Sequence, residues 1–134
     1  IMARVKELTE NIISVGIRST DSSELKNINK QNTFHASYIC HSKDWIKKAV
    51  KKLSRNVYIS IDLDVFDSSI MPSTGTPEPG GLGWYHVLDL LESVSKDKNV
   101  VGFDVVELCP SKNNPAPDFL AAKLIYKLLS MRFS

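Results

Sequence analysis

The residues best able to do chemistry are the acidic ones in Ser60-Ile61-Asp62-Leu63-Asp64. They close an apolar, β-branched run, Asn56 to Asp62, that reads as a strand. Side chains on a strand alternate between faces, so Asp62 and Asp64 are expected to point the same way. Two carboxylates side by side repel, and a buried charge without a partner is expensive. A divalent cation between them would relieve both costs, and an all-oxygen ligand set suits Mn²⁺ or Mg²⁺. Two acidic residues at a strand end can equally be solvated loop residues or helix caps. Asp67 adds a third carboxylate, either another charge at the site or an acceptor that structures the loop.

The segment that follows, Met71 to Gly81, reads MPSTGTPEPGG, with three Pro and three Gly in eleven residues. No regular element tolerates that composition. A long, stiff loop is typical of the edge of a functional site. A second acidic point, Glu107, falls at the end of the apolar run Asn99 to Val105, where it is expected to face the same crevice. Asp104, inside that run, reads as structural.

The elements that must hold these residues alternate between strand and helix. A short amino-terminal helix carries Met2, Val5 and Leu8 on one face, and Asn11 to Ile17 is a buried strand. Asp21-Ser22-Ser23-Glu24 is predicted to start a helix. Thr33 to Ile39 is a second strand, and Ser42 caps a helix through Leu53. Trp84 to Val94 has the helical spacing Val87, Leu88, Leu91, Val94. A last helix begins near Pro117, with Phe119, Leu120, Leu124, Ile125, Leu128 and Leu129 on its apolar side. Strands separated by helices imply parallel pairing, and nearly all-apolar strands imply helices on both faces. The expected fold is therefore a three-layer α/β/α sandwich with a mainly parallel sheet. In such sheets ligands bind at the carboxyl ends of the strands, where the acidic residues fall.

Composition narrows the classes. With 17 basic and 15 acidic residues in 134, the net charge of +2 argues against a nucleic-acid binder. Two cysteines, Cys40 and Cys109, are too few for a disulfide framework. No apolar run is long enough for a transmembrane helix, and the amino end lacks the pattern of a signal peptide. A cytoplasmic protein without a membrane partner is expected.

Taken together, Ser60-Ile61-Asp62-Leu63-Asp64-Val65-Phe66-Asp67, Pro72-Ser73-Thr74-Gly75-Thr76-Pro77-Glu78-Pro79-Gly80-Gly81 and Asp104-Val105-Val106-Glu107-Leu108-Cys109-Pro110 closely resemble the ureohydrolases, the arginase and agmatinase family. The resemblance runs from about Val15 to the end of the chain, and Thr-Gly-Thr-Pro-Glu-Pro-Gly-Gly looks more agmatinase-like than arginase-like. It implies an arginase-like fold holding two Mn²⁺ ions. Asp62 would bridge both ions and Asp64 would bind one. Glu107, as the catalytic and substrate-binding carboxylate, would receive the substrate's guanidinium, with Thr76 beside the substrate head. The implied reaction is hydrolysis of a guanidinium substrate to release urea, with agmatine giving putrescine, in a homo-oligomer. Arginase or another amidinohydrolase of the family is the alternative, as is a half-length, non-catalytic oligomerisation module.

Two departures stand out. Ser68 follows Asp67 where the family usually has Pro. The family's D-x-H-x-D motif and its amino-terminal His are missing: His35, His41 and His86 match neither, and read as structural or exposed. The chain also opens on Ile1-Met2. Residues 1–134 are therefore expected to be the carboxyl-terminal part of a single ureohydrolase domain, inactive alone.

Overall fold

The computed structural model describes residues 2–9, 11–20, 22, 26 and 28–133. Its strands are β1 (Ser14–Ile17), β2 (Thr33–His35), β3 (Asn56–Asp62) and β4 (Asn99–Val106). Its α-helices are α1 (Met2–Val5), α2 (Ala36–Ile39), α3 (Trp45–Lys52), α4 (Trp84–Asp97) and α5 (Ala116–Phe133). All the pairing is parallel, β1 with β2 and β3 with β4, as the alternation of elements requires. The two pairs form separate two-stranded sheets rather than one continuous sheet.

The long elements follow their periodicity. Val87, Leu88, Leu91 and Val94 are the buried residues of α4. Val94 packs with Val50 of α3, Val57 of β3 and Val100 of β4. The larger cluster gathers Ile61, Leu63, Phe66, Met71 and Leu82 around the end of β3, with Leu124 and Leu128 of α5. Phe66 is buried and stacks on Trp84 at a centroid distance of 6.1 Å. The turn after β3 is thus pinned by the core, and with it the acidic residues it carries.

Several short elements differ from expectation. The run Thr33 to Ile39 is strand only as far as His35, and Ala36–Ile39 is a helical turn. Strand alternation would bury residues 34, 36 and 38. The chain instead buries Phe34, Ala36 and Ile39, and leaves Tyr38 exposed, where its hydroxyl accepts from Lys48 Nζ at 3.0 Å. Ser42 does not cap α3. Its hydroxyl donates to Asp44 Oδ1 at 2.9 Å, and α3 starts at Trp45. The amino-terminal helix is a single turn, with Leu8 beyond it and solvent-exposed. The helix start expected at Asp21-Ser22-Ser23-Glu24 lies, apart from Ser22, outside the described residues.

The helices of this chain pack on the face of β3 that carries Val57 and Ile61. Val57 and Ile61 of β3 are buried, while Tyr58, Ser60 and Asp62 on the opposite face are exposed. On β4 the register slips between Val57 and Tyr58, leaving Val101 as an unpaired, exposed bulge. Helix α5 buries Ala121, Leu124 and Leu128. Of its expected apolar side, Phe119, Ile125 and Leu129 are instead exposed, and Phe119 lies on a stripe with Tyr126 and Phe133, exposed by 73%, 71% and 79%. Burying such a side chain is worth about 1.5–3 kcal/mol, so the stripe is a strong drive for association. The isolated 134-residue chain is expected to self-associate. Light scattering coupled to size exclusion checks this, and Tyr126→Ser with Phe133→Ser should reduce the apparent mass.

Candidate functional site

Strand β3 ends at Asp62, and Leu63-Asp64-Val65 form one 3-10 turn. Asp62 and Asp64 are therefore not held on one face by strand alternation. They meet because Asp62 caps the turn: its Oδ1 accepts from the Asp64 N–H at 2.9 Å. Both carboxylates line one cavity of about 290 Å³, walled also by Gly16, Ile17, Arg18, Thr76 and Glu78. The cavity sits beyond the ends of β1 and β3, the position expected of a parallel α/β fold.

Within it, Asp64 Oδ2 accepts from the Thr76 hydroxyl at 3.1 Å. Asp64 Oδ1 is buried without a hydrogen-bond partner. A buried carboxylate oxygen left unpaired is costly, and a cation is the simplest partner for it. Partial burial raises the pKa of Asp62 above its ordinary value. The Asp64 N–H opposes that rise, the Asp64 charge adds to it and Arg18 opposes it. Two hard oxygen donors with one oxygen unspent suit Mn²⁺ or Mg²⁺ in part. Among the described residues no group of three or more His, Cys, Asp or Glu is arranged to hold a metal, so the pair is not a complete ligand set by itself.

Asp67 takes the loop-structuring role. Its Oδ1 accepts from the N–H and hydroxyl of Ser69, and its Oδ2 from the N–H groups of Gly80 and Gly81 at 2.7 and 3.1 Å. Gly80 has φ +77°, and a Cβ on Gly81 would run into the Phe66–Asp67 backbone, so this closure needs both glycines. The Ser69 side-chain hydrogen bond, reinforced by the backbone donors, holds the Asp67 carboxyl at a pKa of about 2, below its ordinary 3.8. The unfolded chain thus binds the proton more tightly than the folded one. The stabilisation is fully present above pH 3.8 and is lost as pH falls through about 2. Asp67→Asn should lower Tm at neutral pH, with the gap from the parent closing across that window. A gap unchanged by acid in thermal melts would show that the charge is not what anchors the loop.

Glu107 follows the last residue of β4, is exposed, and has φ +67°. It is not among the residues walling the cavity and stands at the carboxyl end of β4, the strand paired with β3. The left-handed backbone, which turns the chain just past Val106, costs a non-glycine residue on the order of 1–2 kcal/mol, and such strain clusters at functional sites. The Cys109 N–H donates to Ser73 O at 2.8 Å, tying the segment after Glu107 to the glycine-rich loop. Asp104 is structural: its Oδ1 accepts from the Ser60 hydroxyl at 2.7 Å across the β3–β4 pair. The histidines lie elsewhere. His86 Nδ1 accepts from the Gly83 N–H at the start of α4, and His35 and His41 are exposed.

Three residues in or beside the cavity escape a search for acidic pairs: Arg18, Ser19 and Glu78. The Ser19 hydroxyl donates to the Glu78 carboxylate at 2.8–2.9 Å, and Arg18 Nε lies 3.8 Å from Glu78 Oε2. The signal for Arg18 is its place just past β1, at a strand's carboxyl end like Asp62.

The sequence profile of the arginase family matches residues 1–130. The chain belongs to the arginase family. It is 37% identical over 132 residues to the N(1)-aminopropylagmatine ureohydrolase of Synechocystis sp., covering 96% of this chain and 43% of that protein. It is 34% identical to the agmatinase of Pyrococcus horikoshii, covering 98% of this chain and 46% of the relative. The crystal structure of agmatine ureohydrolase of Thermoplasma volcanium superposes with a TM-score of 0.82 at 34% identity, covering 98% and 46% of the two chains. The arginase-like α/β fold expected from the motifs is thus present, and this arginase-family chain spans a little under half the length of those relatives. No described helix is long and apolar enough to cross a membrane.

Proposed function

We propose that this arginase-family chain supplies the carboxyl-terminal half of a Mn²⁺-dependent hydrolase of guanidino compounds that releases urea. Agmatine is the proposed substrate. Asp62 and Asp64 would hold the metal, Glu107 would bind the guanidinium, and Thr76 would lie by the substrate head. The observation that supports this best is the unspent, buried Oδ1 of Asp64 beside Asp62 in a cavity at the strand ends. Similarity to an agmatinase and to an N(1)-aminopropylagmatine ureohydrolase supports the substrate class.

In this reading Asp62 and Asp64 would help hold divalent metal, which when bound would lower the pKa of water and so make a nucleophile available near neutral pH. The chain's own residues do the rest. Thr76 holds Asp64 Oδ2, which leaves the other oxygen available to a metal. Glu107 pairs with the planar guanidinium through charge-assisted hydrogen bonds. Asp67 and the glycines tie the loop that carries Thr76 to the turn after β3, with Thr76 in the cavity wall. The two carboxylates leave the ligand set incomplete, so the remaining ligands would come from outside this chain, and the 134 residues alone would be inactive.

The test is urea release by the full-length protein with Mn²⁺, on agmatine, N(1)-aminopropylagmatine and arginine. Turnover of agmatine supports the proposal. Turnover of only another member of that panel revises the substrate, and no urea from any of them overturns the reaction.

A further inference from the structure

Arg18 is a cation set deep in an acidic cavity, with its side chain only 13% exposed, yet its hydrogen bonds go to backbone. Nη2 donates to the carbonyl of Asp64, and Nη1 to that of Val65 at 3.3 Å. Nε is buried without a hydrogen-bond partner, and lies 3.8 Å from Glu78 Oε2. Glu78 is itself held by the Ser19 hydroxyl on both oxygens. One guanidinium thus joins the end of β1, the turn after β3 and the glycine-rich loop.

The turn it grips is three residues long. A 3-10 piece of that length has little stability of its own. Leu63 O accepts from the Phe66 N–H at 3.2 Å and Val65 O from the Leu82 N–H at 2.8 Å, while the carbonyl of Asp64 is taken by Arg18. The orientation of the Asp64 side chain is therefore decided by what holds its backbone. Asp62 holds the N–H and Arg18 the carbonyl, while Thr76 takes Oδ2. The planar fork of Arg spans two neighbouring carbonyls in a way that a Lys ammonium does not. The fork reaches the carbonyls of the turn and not Asp64 Oδ1, which has no hydrogen-bond partner. Gly16 allows this approach: it sits at a bulge in β1 with φ +81°, and a Cβ there would strike Val65 Cγ2.

We propose that Arg18 is a positioning residue for the metal site: by clamping the Asp64 and Val65 carbonyls it fixes the Asp64 carboxylate in its metal-binding orientation. This rests on the metal role of Asp62 and Asp64 proposed above. Partners that orient metal ligands typically account for about 10–100-fold in metal affinity.

The experiment uses the full-length protein and Mn²⁺ as the probe. Arg18→Ala, Arg18→Lys and Asp64→Ala are compared with the parent by calorimetric Mn²⁺ titration, Mn²⁺ electron paramagnetic resonance and thermal melting without metal. Arg18→Ala is expected to weaken Mn²⁺ binding by about 10–100-fold. Its metal-free Tm should stay near the parent's, and saturating Mn²⁺ should restore much of kcat with KM for the guanidino substrate unchanged. Arg18→Lys should fall between. A residue that only props up the fold would lower Tm and would not be rescued by metal. Parental Mn²⁺ affinity in both Arg18 variants, with weakened binding in Asp64→Ala, overturns the role of Arg18 alone. Parental affinity in Asp64→Ala overturns the metal reading, and this role with it. Should Arg18→Ala fail to fold, Arg18→Lys decides: reduced affinity in a folded protein supports the clamp, and parental affinity removes it.

Discussion

Asp64→Ala in the full-length protein is expected to lose bound Mn²⁺ and to cut urea release by about 10²–10³-fold, the equivalent of roughly 3–4 kcal/mol of metal-derived transition-state stabilisation. The substitution removes the cavity carboxylate whose free oxygen is buried and unpaired. The fold should survive, since the hydrophobic anchors of the turn, Leu63 and Phe66, are untouched and fully buried. Asp62 needs a subtler change, because its Oδ1 also caps the turn through the Asp64 N–H. Ala there would remove the cap as well, worth about 1 kcal/mol. Asn keeps an acceptor in place and deletes only the charge. Asp62→Asn should therefore lose metal with little loss of Tm. Elemental analysis of purified protein and Mn²⁺ titration read both variants. Full metal content in Asp64→Ala and Asp62→Asn would remove the proposed metal site.

Glu107→Gln is expected to leave metal content intact and to lower kcat/KM for the guanidino substrate. Loss of a charged hydrogen bond costs about 1.5–3 kcal/mol, or roughly 10–150-fold. Gln has the same shape and the same difficulty at φ +67°, so the backbone strain stays and only the charge goes. Glu107→Gly gives the complementary measurement. It relieves the strain and removes the carboxylate, so it should gain stability while losing activity. Steady-state kinetics with metal analysis separate these effects. Parental turnover of agmatine by Glu107→Gln would make Glu107 a structural residue.

Local chemistry made much of this protein legible from its residues alone. The long elements β3, β4, α4 and α5 follow from apolar periodicity, and in α4 pattern and packing agree residue by residue, whereas α5 leaves Phe119, Ile125 and Leu129 of its expected apolar side exposed. Parallel pairing follows from the strand–helix alternation. The family follows from the spacing of Asp62, Asp64 and Asp67 before Thr-Gly-Thr-Pro-Glu-Pro-Gly-Gly. The short elements were less legible. Over Thr33 to Ile39 the strand and helix patterns overlap, and what decides is that Ile39 rather than Tyr38 reaches the core.

The sequence by itself determined which side chains carry the charge and that they fall at strand ends. Tertiary structure alone decided how they are held. Asp62 and Asp64 meet through a capped 3-10 turn, because the core takes Leu63 and Phe66 and so bends the chain out of the strand. Asp67, two readings of which the sequence left open, closes the glycine-rich loop, because four donors converge on its carboxylate. Arg18, 46 residues before Asp64, clamps the turn from another strand. No local pattern encodes that contact. It exists only once the end of β1 meets the turn after β3, and the burial of apolar surface that brings them together is a property of the whole chain.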